Sequence, residues 1–349
     1  MEQYIRAGFN SQNLPLYNCS NYTAEEWTIR GGVKHPLEGY YAITLGSIAL
    51  VCYIPCVLAM CSRELYKYSC YKIMVFLSVC DIGGIICCCI FFGYFMINGY
   101  VFCTDPELMY LHGVFIIVFW CTQCATCWLL TINRLFEICA PNLSKLLFHG
   151  SRTYVALLIP VTWFLIIFFY ESPCIFNSKA QAEINDPLIF TNRTMEYNDY
   201  KQVFNNAFFC LGNAFMYLTL WVRFHRKFAE YFTEAGNQKD KFMFIQVTII
   251  SSLNIISGIL YTLMLYVEIP VAYVVIAHST YQLIHCSPAF IYLIMNKSIR
   301  RQIGKICCGK QSQNRVYSSN PGGATQPNSN IDRSSNYVRD TAHLSSSQI

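Results

Sequence analysis

Seven long stretches almost free of charged residues constrain this chain more than any other feature. Six of them contain no Lys, Arg, Asp or Glu over 18 to 28 residues, and the other is interrupted only by Asp81. A helix crosses a hydrocarbon core of about 30 Å with about 20 apolar residues, and in lipid it satisfies its own backbone hydrogen bonds. The pattern predicts an all-α membrane protein, a bundle of seven transmembrane helices. The stretches are 39–62, 73–104, 108–133, 153–170, 202–222, 242–267 and 269–296.

The composition argues against a soluble alternative with seven buried helices. Charged residues make up 13% of the chain and hydrophobic residues 54%, whereas a soluble domain carries about 25% charged residues. No soluble architecture requires so many uncharged spans in one chain.

The distribution of Lys and Arg predicts an extracellular N-terminus. If the N-terminus lies outside, the cytoplasmic segments hold sixteen basic residues and the outer segments hold six. Basic residues concentrate on the cytoplasmic side of membrane proteins. This bias also accounts for the net charge of +5 without a nucleic acid partner. The inner segments are 62–72, 134–152, 223–241 and 297–310, and the outer ones are 1–38, 96–107, 171–202 and 267–270.

Three regions follow from this topology. Residues 1–38 form an exposed extracellular arm without the apolar core of a cleavable signal peptide, so the first helix acts as a signal anchor. Residues 39–310 form the bundle with a juxtamembrane helix. Residues 311–349 are rich in Ser, Asn and Gly and are predicted to be a disordered cytoplasmic tail. Phosphorylation of its Ser and Thr would make arrestin a partner, although a plain solvated tail has the same composition.

The juxtamembrane helix is amphipathic, with Ile and basic residues at helical spacing, which is typical of a helix on the inner leaflet. These residues are Ile299, Arg300, Arg301, Ile303, Lys305 and Ile306. Cys307 and Cys308 at its end are candidate palmitoylation sites. The alternative is a pair of unmodified cytosolic thiols.

Glycosylation sequons agree with the orientation. Asn18, Asn21 and Asn192 each begin an Asn-x-Ser/Thr sequon on the outer side. Two of them precede the first helix, which is more informative than a single sequon.

Most of the 19 cysteines lie within helices, where they act as small apolar residues. Cys19, Cys103 and Cys174 lie on the predicted extracellular side. A Cys103–Cys174 disulfide would hold the long loop after the fourth helix over the mouth of the bundle. Cys19 is left over in that pairing and could compete for it. The spacing of Cys121, Cys124 and Cys127 could suggest a metal site, but no His or carboxylate joins these three within the membrane, so no metal site is predicted.

Asp81 is the sharpest single signal, since it lies near mid-bilayer, where an Asp costs about 2.5–3.5 kcal/mol. It is expected to face the bundle interior and to act in a polar switch, although a protonated structural Asp is the alternative.

Other polar and aromatic residues mark candidate ligand-pocket positions. These are His112, Phe115 and Phe119 in the third helix, Asn206 in the fifth, and His278 and Tyr281 in the seventh. Gln282 and His285 continue the polar stripe of the seventh helix. Such stripes are expected to point inward, either to bind a ligand or to bind each other. No enzyme motif, catalytic residue set or cofactor motif accompanies them.

The end of the third helix carries a family resemblance. Asn133-Arg134-Leu135 resembles the acid-Arg-aromatic motif of G-protein-coupled receptors, and Asp81, Trp163 and Pro288 match further positions. The chain is similar to the nematode serpentine chemoreceptors of class T. The stretches that carry this similarity are Tyr17-Asn-Cys19, Gly39-Tyr-Tyr41, Ser69-Cys-Tyr-Lys-Ile-Met74, Asn98-Gly-Tyr-Val-Phe-Cys103 and Pro288-Ala-Phe-Ile-Tyr-Leu293.

The resemblance implies a small environmental chemical as ligand and a heterotrimeric G protein as partner. It places the protein in the plasma membrane, in sensory cilia. Arg134 and the basic segment 223–241 would contact the G protein, with Arg223, Arg226 and Lys227 nearest the fifth helix. Pro288 and Tyr292 would share the intramembrane switch with Asp81. Asn133 replaces the usual acid, so the familiar lock between that acid and Arg134 cannot form.

Two other classes compete with this interpretation. A seven-helix ligand-gated channel would place the N-terminus inside, which the basic-residue bias opposes. A transporter or membrane enzyme would carry more buried charges or inverted repeats, and neither is visible.

Overall fold

The chain forms an α-helical bundle in a computed structural model that describes residues 1–190, 193–197, 200–231, 238–264 and 270–308. One compact unit spans Met1–Lys310. The predicted tail 311–349 lies outside the described residues. We call the end of the bundle beside residues 1–35 the arm end and the opposite end the tail end.

The described helices follow the uncharged stretches, with short helices between them. They are α1 (Glu2–Arg6), α2 (Ala24–Gly31), α3 (Pro36–Met60), α4 (Arg63–Tyr66), α5 (Ser69–Ile85), α6 (Phe92–Asn98), α7 (Pro106–Cys139), α8 (Pro141–Phe148), α9 (Arg152–Tyr170), α10 (Tyr200–Tyr231), α11 (Gln238–Met264), α12 (Val271–Met295) and α13 (Lys297–Cys308). Two short strands, β1 (Ile175–Asn177) and β2 (Ala182–Ile184), pair as an antiparallel hairpin after α9.

Five helical segments of the described chain are long and apolar enough to cross a membrane. These are Pro36–Met60, Ser69–Asn98, Pro106–Cys139, Arg152–Tyr170 and Lys201–Arg223. In the sixth predicted span, the apolar part is the shorter segment Thr248–Met264. The seventh, α12, contains His278, Gln282 and His285, all buried. These polar groups lower the mean hydropathy of α12. They are compatible with a membrane span because they point into the interior of the bundle. The fold is that of an all-α membrane protein.

Burial distinguishes a central helix from a peripheral one. In α7, 83% of the most apolar window is buried, against 17% in α9. The outward face of α9 exposes Val155, Leu158 and Ile159, each by more than half. Apolar side chains exposed in a continuous band are expected of a surface that contacts lipid. The third predicted span is therefore the most buried of these five segments.

Glycines bring the first two spans into close contact. A Cβ atom on Gly39 would lie 2.7 Å from the carbonyl oxygen of Gly93, and one on Gly93 would lie 2.6 Å from that of Gly39. Small residues allow helix backbones to approach closely in a membrane, where van der Waals packing holds helices together.

The second span contains a π-helical turn, Ile86–Phe91, between α5 and α6. A π-turn shifts the backbone hydrogen bonds by one residue and is frequent at functional sites. Polar side chains of other helices contact its carbonyl oxygens. Gln282 donates to the Cys88 carbonyl at 2.9 Å, Nε2 of His278 lies 3.3 Å from the same oxygen, and Nε2 of His112 lies 3.3 Å from the Cys87 carbonyl. The stripe of the seventh helix thus has a structural role in this turn.

The arm packs on the bundle, which corrects the expectation of an exposed segment. Tyr4 and Tyr17 are buried, and the Tyr4 hydroxyl donates to the Glu107 carboxylate at the start of α7. The Ser11 backbone N–H and hydroxyl also donate to Glu107, at 2.8 and 2.9 Å. An acidic residue in the first turn of a helix is favourable, and here it also anchors the arm.

The disulfide prediction was wrong in one partner. Cys103 is bonded to Cys19, not to Cys174. The Cys174 thiol instead lies 3.4 Å from Oδ1 of Asn185. The arm folds back over the bundle, which brings Cys19 beside the start of α7. The sequence distance of 84 residues gave no indication of this contact.

Candidate functional site

A cavity of about 240 Å³ lies near the arm end of the bundle. Its walls come from α7, α10, α11, α12 and the loop that contains the hairpin. Aromatic and amide side chains make up half of the lining residues, including Trp120, Asn206, Tyr261 and Tyr281. Small-molecule sites are concave and mostly apolar with a few placed polar groups. This cavity has that character, and its volume lies just below their usual range of about 300–1,000 Å³.

The aromatic wall is internally ordered. The Trp120 and Tyr261 rings each meet the Tyr281 ring edge to face, with centroids 5.4 and 5.7 Å apart. The Trp120 indole N–H donates to Oδ1 of Asn206 at 2.9 Å, and the Tyr281 hydroxyl donates to the Ile116 carbonyl at 3.3 Å. These bonds hold ring edges and faces toward the cavity at fixed angles.

The β1–β2 hairpin forms one side of the cavity and can approach α7 because residue 113 is glycine. The Cys174 N–H donates to the Gly113 carbonyl at 3.1 Å. A Cβ atom on Gly113 would lie 2.5 Å from the Cys174 carbonyl oxygen, so a larger residue would push the loop away. On the hairpin, Phe176 is fully buried against Phe92 and Phe95.

Glu183 in β2 points into the bundle and meets His278. Its Oε2 lies 3.1 Å from Nδ1 of His278, and both side chains are buried. Burial raises the pKa of Glu183, but the attraction of His278 and His112 outweighs burial and holds this pKa below its ordinary value of 4.5. The hairpin thus contacts the seventh span through a buried carboxylate–imidazole contact.

The six predicted pocket residues form three groups: two line the cavity, two contact the π-turn, and two lie on another face of α7. Asn206 and Tyr281 line the cavity. His112 and His278 contact the π-turn. His278 does not line the cavity but contacts its lining residues Glu183, Tyr261 and Tyr281.

Phe115 and Phe119 lie on another face of α7 and do not line the cavity. Phe115 is 37% exposed and packs against Phe168, while Phe119 packs against Phe164 of α9 and over Gly83. Placing them in the pocket wall was wrong. Their positions near the outer end of α7 were predicted, but the direction in which they point depends on how α7 is rotated.

Sequence reasoning missed several cavity residues. Glu183, Asp186 and Tyr197 lie in the loop 171–202, for which the sequence gives no periodicity to place a side chain. Trp120 and Tyr261 are aromatic residues within predicted spans, and their faces could be assigned only from the packed bundle.

Asp81 is fully buried in a polar cluster that joins three spans. Its Oδ2 accepts from the Tyr53 hydroxyl at 3.0 Å, and its Oδ1 lies 3.0 Å from Nδ1 of His285. The Tyr53 hydroxyl also lies 3.1 Å from the His285 carbonyl. Buried charges in a membrane are paired or hydrogen-bonded because the isolated ion is costly. The inward orientation predicted for Asp81 is the one observed.

Pro288 and Tyr292 lie about one and two turns after His285 in α12. Both are buried, and Pro288 removes one backbone N–H from the helix. The Tyr292 hydroxyl is buried without a hydrogen bond among the described residues. Beside the Asp81 cluster, the seventh span therefore lacks one backbone hydrogen bond at Pro288 and contains a buried Tyr292 hydroxyl without a hydrogen bond among the described residues.

Arg134 at the tail end of α7 is paired with an acid of its own helix. Its Nη1 lies 2.6 Å from Oε2 of Glu137, one turn later on the same helix. Asn133 donates to the Ser69 hydroxyl at 3.0 Å, which joins α7 to the start of α5. The pair is not the lock of the receptor motif, because Glu137 follows Arg134 by three residues, whereas the motif places its acid directly before the Arg. Leu135 is half-buried beside them.

The other predicted positions are placed as follows. Arg223 is exposed on α10, which also contains Arg226 and Lys227, although their side chains lie outside the described part. Cys307 is exposed at the end of α13, and Cys308 ends that helix. Asn21 is exposed, Asn18 is half-buried, and Asn192 lies outside the described residues. No modification is tested by these positions.

The fold and its cavity define the class: a multi-pass helical membrane protein with a small-molecule-sized site at one end and a paired Arg at the other. A family model described as the serpentine type 7TM GPCR chemoreceptor Srt matches residues 4–316, and the chain belongs to this family. A similar protein is serpentine receptor class T-55 of Caenorhabditis elegans, 24% identical over 301 residues, which cover 84% of this chain and 80% of the relative. The resemblance proposed from the sequence is confirmed.

Proposed function

We propose that this protein binds a small environmental chemical in the cavity beside the hairpin and activates a heterotrimeric G protein at its tail end. The observation that carries the proposal is that one buried helix, α7, forms part of both sites. Trp120 lines the cavity, and Arg134 lies fourteen residues later, about 21 Å along a helix that rises 1.5 Å per residue. A change in how α7 packs would reach both ends.

The Asp81 cluster lies between these sites and provides a two-state element. It joins α3, α5 and α12 through buried hydrogen bonds, and α12 also contributes Tyr281 to the cavity. A ligand that binds one packing of α12 better than another shifts the population toward that packing. At the tail end, release of Arg134 from Glu137 would present its guanidinium to the G protein, beside Arg223, Arg226 and Lys227.

We place the protein in the plasma membrane of a sensory cell, in its cilia, with the arm outside. The basic-residue bias supports this orientation, and so does the Cys19–Cys103 disulfide, because disulfides form in oxidising compartments. Glycosylation at Asn18, Asn21 and Asn192, palmitoylation at Cys307 and Cys308, and arrestin binding by the tail belong to the same topology. A channel with an inward N-terminus would leave Asn18 unmodified, so mapping glycosylation at Asn18 separates the two classes.

The coupling role is tested with Arg134→Ala in a cell-based G-protein reporter, using a panel of volatile and soluble chemicals. Ligand-evoked signalling is expected to disappear while surface delivery, measured through a tag on the arm, persists. Arg63→Ala is the matched control, because Arg63 is an exposed arginine of α4 at the same end of the bundle. Unchanged signalling in Arg134→Ala, or equal losses in both variants, would exclude a specific role for Arg134.

A further inference from the structure

The cavity contains a buried carboxylate with half of its hydrogen-bonding capacity unused. Asp186 is 7% exposed and lines the cavity. Its Oδ1 accepts from the Leu188 backbone N–H at 2.8 Å, whereas Oδ2 is buried and has no hydrogen bond among the described residues. A buried carboxylate oxygen without a partner is costly, so such a group in a cavity points to a missing donor.

The charge balance around the cavity has one sign. Two of the described lining residues are acidic, Glu183 and Asp186, and none of them is Lys or Arg. Oε2 of Glu183 lies 3.1 Å from Nδ1 of His278, although neither side-chain oxygen of Glu183 has a hydrogen bond among the described residues. Asp186 has no such contact with a basic residue among the described residues, which leaves one uncompensated negative charge in the cavity wall.

Aromatic rings surround the same space. Trp120, Tyr197, Tyr261 and Tyr281 all contribute to the walls. Burial, then the charge of Asp186, raises the pKa of Tyr197 to about 12, so this phenol stays neutral beside the carboxylate. Aromatic faces attract cations, and more strongly when water is excluded. Carboxylate and rings favour the same kind of ligand.

Two amide N–H₂ groups supply the complementary donors. Nδ2 of Asn185 and Nδ2 of Asn206 are buried without hydrogen bonds in the part of the chain that the structure describes. They can bind an acceptor elsewhere on the ligand. Neither donates to Asp186, whose Oδ2 has no hydrogen bond among the described residues.

We propose that the ligand is a small organic amine that enters as its ammonium ion, with the nitrogen at Asp186 and its body against the aromatic wall. This inference rests on the proposed function, since it names the ligand class of that site. It excludes carboxylic acids of similar size, which would face Asp186 with like charge, and it disfavours neutral alcohols, which leave the carboxylate without a counter-ion.

The test measures binding directly, without a G protein, so it is separate from the signalling proposal. Full-length receptor purified in detergent is heated with matched probes, 2-phenylethylamine, 2-phenylethanol and phenylacetate, and with 3-methylbutylamine against 3-methyl-1-butanol. Ligands that bind the folded state raise its melting temperature. At least one amine is expected to bind about tenfold or more tightly than its alcohol, because a hydrogen bond to a charged group is worth at least that factor. Phenylacetate is expected to give no shift.

Asp186→Asn isolates the charge. The amide oxygen can still accept from the Leu188 N–H, so the loop is expected to keep its fold. Amine affinity should fall about tenfold or more while affinity for the alcohol is unchanged. Glu25→Gln is the matched control, since it removes one exposed carboxylate of α2, outside the cavity, and should leave amine affinity unchanged.

Three results would overturn the inference: no stabilisation by either amine up to about 1 mM, equal affinity for amine and alcohol, or equal loss in Asp186→Asn and Glu25→Gln. Signalling evoked by a neutral chemical that does not compete with amines would leave the receptor function intact and refute the ligand class alone. Amine binding without any signalling would support the ligand class and refute the signalling function.

Discussion

The Asp81 cluster yields a prediction in which the effect of charge cancels. In Asp81→Ala and Asp81→Asn the buried carboxylate is removed alike, so any gain from losing an ion in the membrane is common to both. They differ in hydrogen bonding. Asparagine can accept from Nδ1–H of His285 and donate to the Tyr53 oxygen, whose own proton turns to the His285 carbonyl 3.1 Å away. Alanine can do neither.

The magnitude follows from the groups left without partners. In Asp81→Ala the ring N–H of His285 loses its acceptor inside a region with no exposed surface, at a cost of about 1–3 kcal/mol. The space of the missing side chain adds a further loss of the same sign. Asp81→Asn is therefore expected to be more stable than Asp81→Ala by about 1–3 kcal/mol. Tyr53→Phe, which removes one donor and leaves the His285 contact, should lose less, about 0.5–1.5 kcal/mol.

The assay is thermal unfolding of the purified full-length receptor in detergent, with all variants at one scan rate because membrane proteins often unfold irreversibly. At about 2 °C per kcal/mol for a chain of this size, the two Asp81 variants should melt roughly 2–6 °C apart. If Ala and Asn melt together, or if Ala is the more stable, the hydrogen bonds seen at Asp81 do not hold these spans together and the reasoning fails.

Three further predictions use the same assay or a simple variant of it. Cys19→Ser and Cys103→Ser should lower the melting temperature equally, and the double variant should be no worse, because each removes the one disulfide observed; a milder effect of Cys19→Ser would contradict the pairing. Gly84→Ala should cost about 1–3 kcal/mol, since its Cβ would lie 2.6 Å from a buried imidazole ring, whereas Gly304→Ala, with open space around it, should be neutral or slightly stabilising. The depressed pKa of Glu183 means that its contribution is present above the ordinary value of 4.5 and lost as pH falls through the lower folded-state value; wild type should therefore lose more stability than Glu183→Gln on acidification, and parallel curves would refute this.

Topology is the part of the architecture that local sequence could predict. A run of 20 or so uncharged residues has one solution in lipid, so each span could be assigned without knowing its neighbours. The stretches 39–62 and 153–170 correspond closely to Pro36–Met60 and Arg152–Tyr170. The inward orientation of Asp81 followed from the same reasoning, because the cost of facing lipid does not depend on which partner is found inside.

Helix rotation and partner choice could not be read in this way. Phe115 and Phe119 occupy the predicted helix but face α9 instead of the cavity, because an angle about the α7 axis decides what a side chain meets. His112 and His278 mark polar contacts, yet their partners are carbonyls of a π-turn that no local pattern in 86–91 announced. Arg134 pairs with Glu137, which lies within one helical turn and is visible in the sequence. The receptor motif places its acid before the Arg and therefore directs attention to Asn133 instead.

By itself, then, the sequence determined that this chain crosses a membrane as a helical bundle and that Asp81 lies inside it, since both depend only on the cost of placing charge and backbone polar groups in hydrocarbon. The tertiary structure decided which groups meet: Cys19 with Cys103, Glu183 with His278, and the residues around the cavity. Those contacts join segments 80 or more residues apart in the chain, and their energies depend on distances of a few ångströms that exist only after the helices have packed.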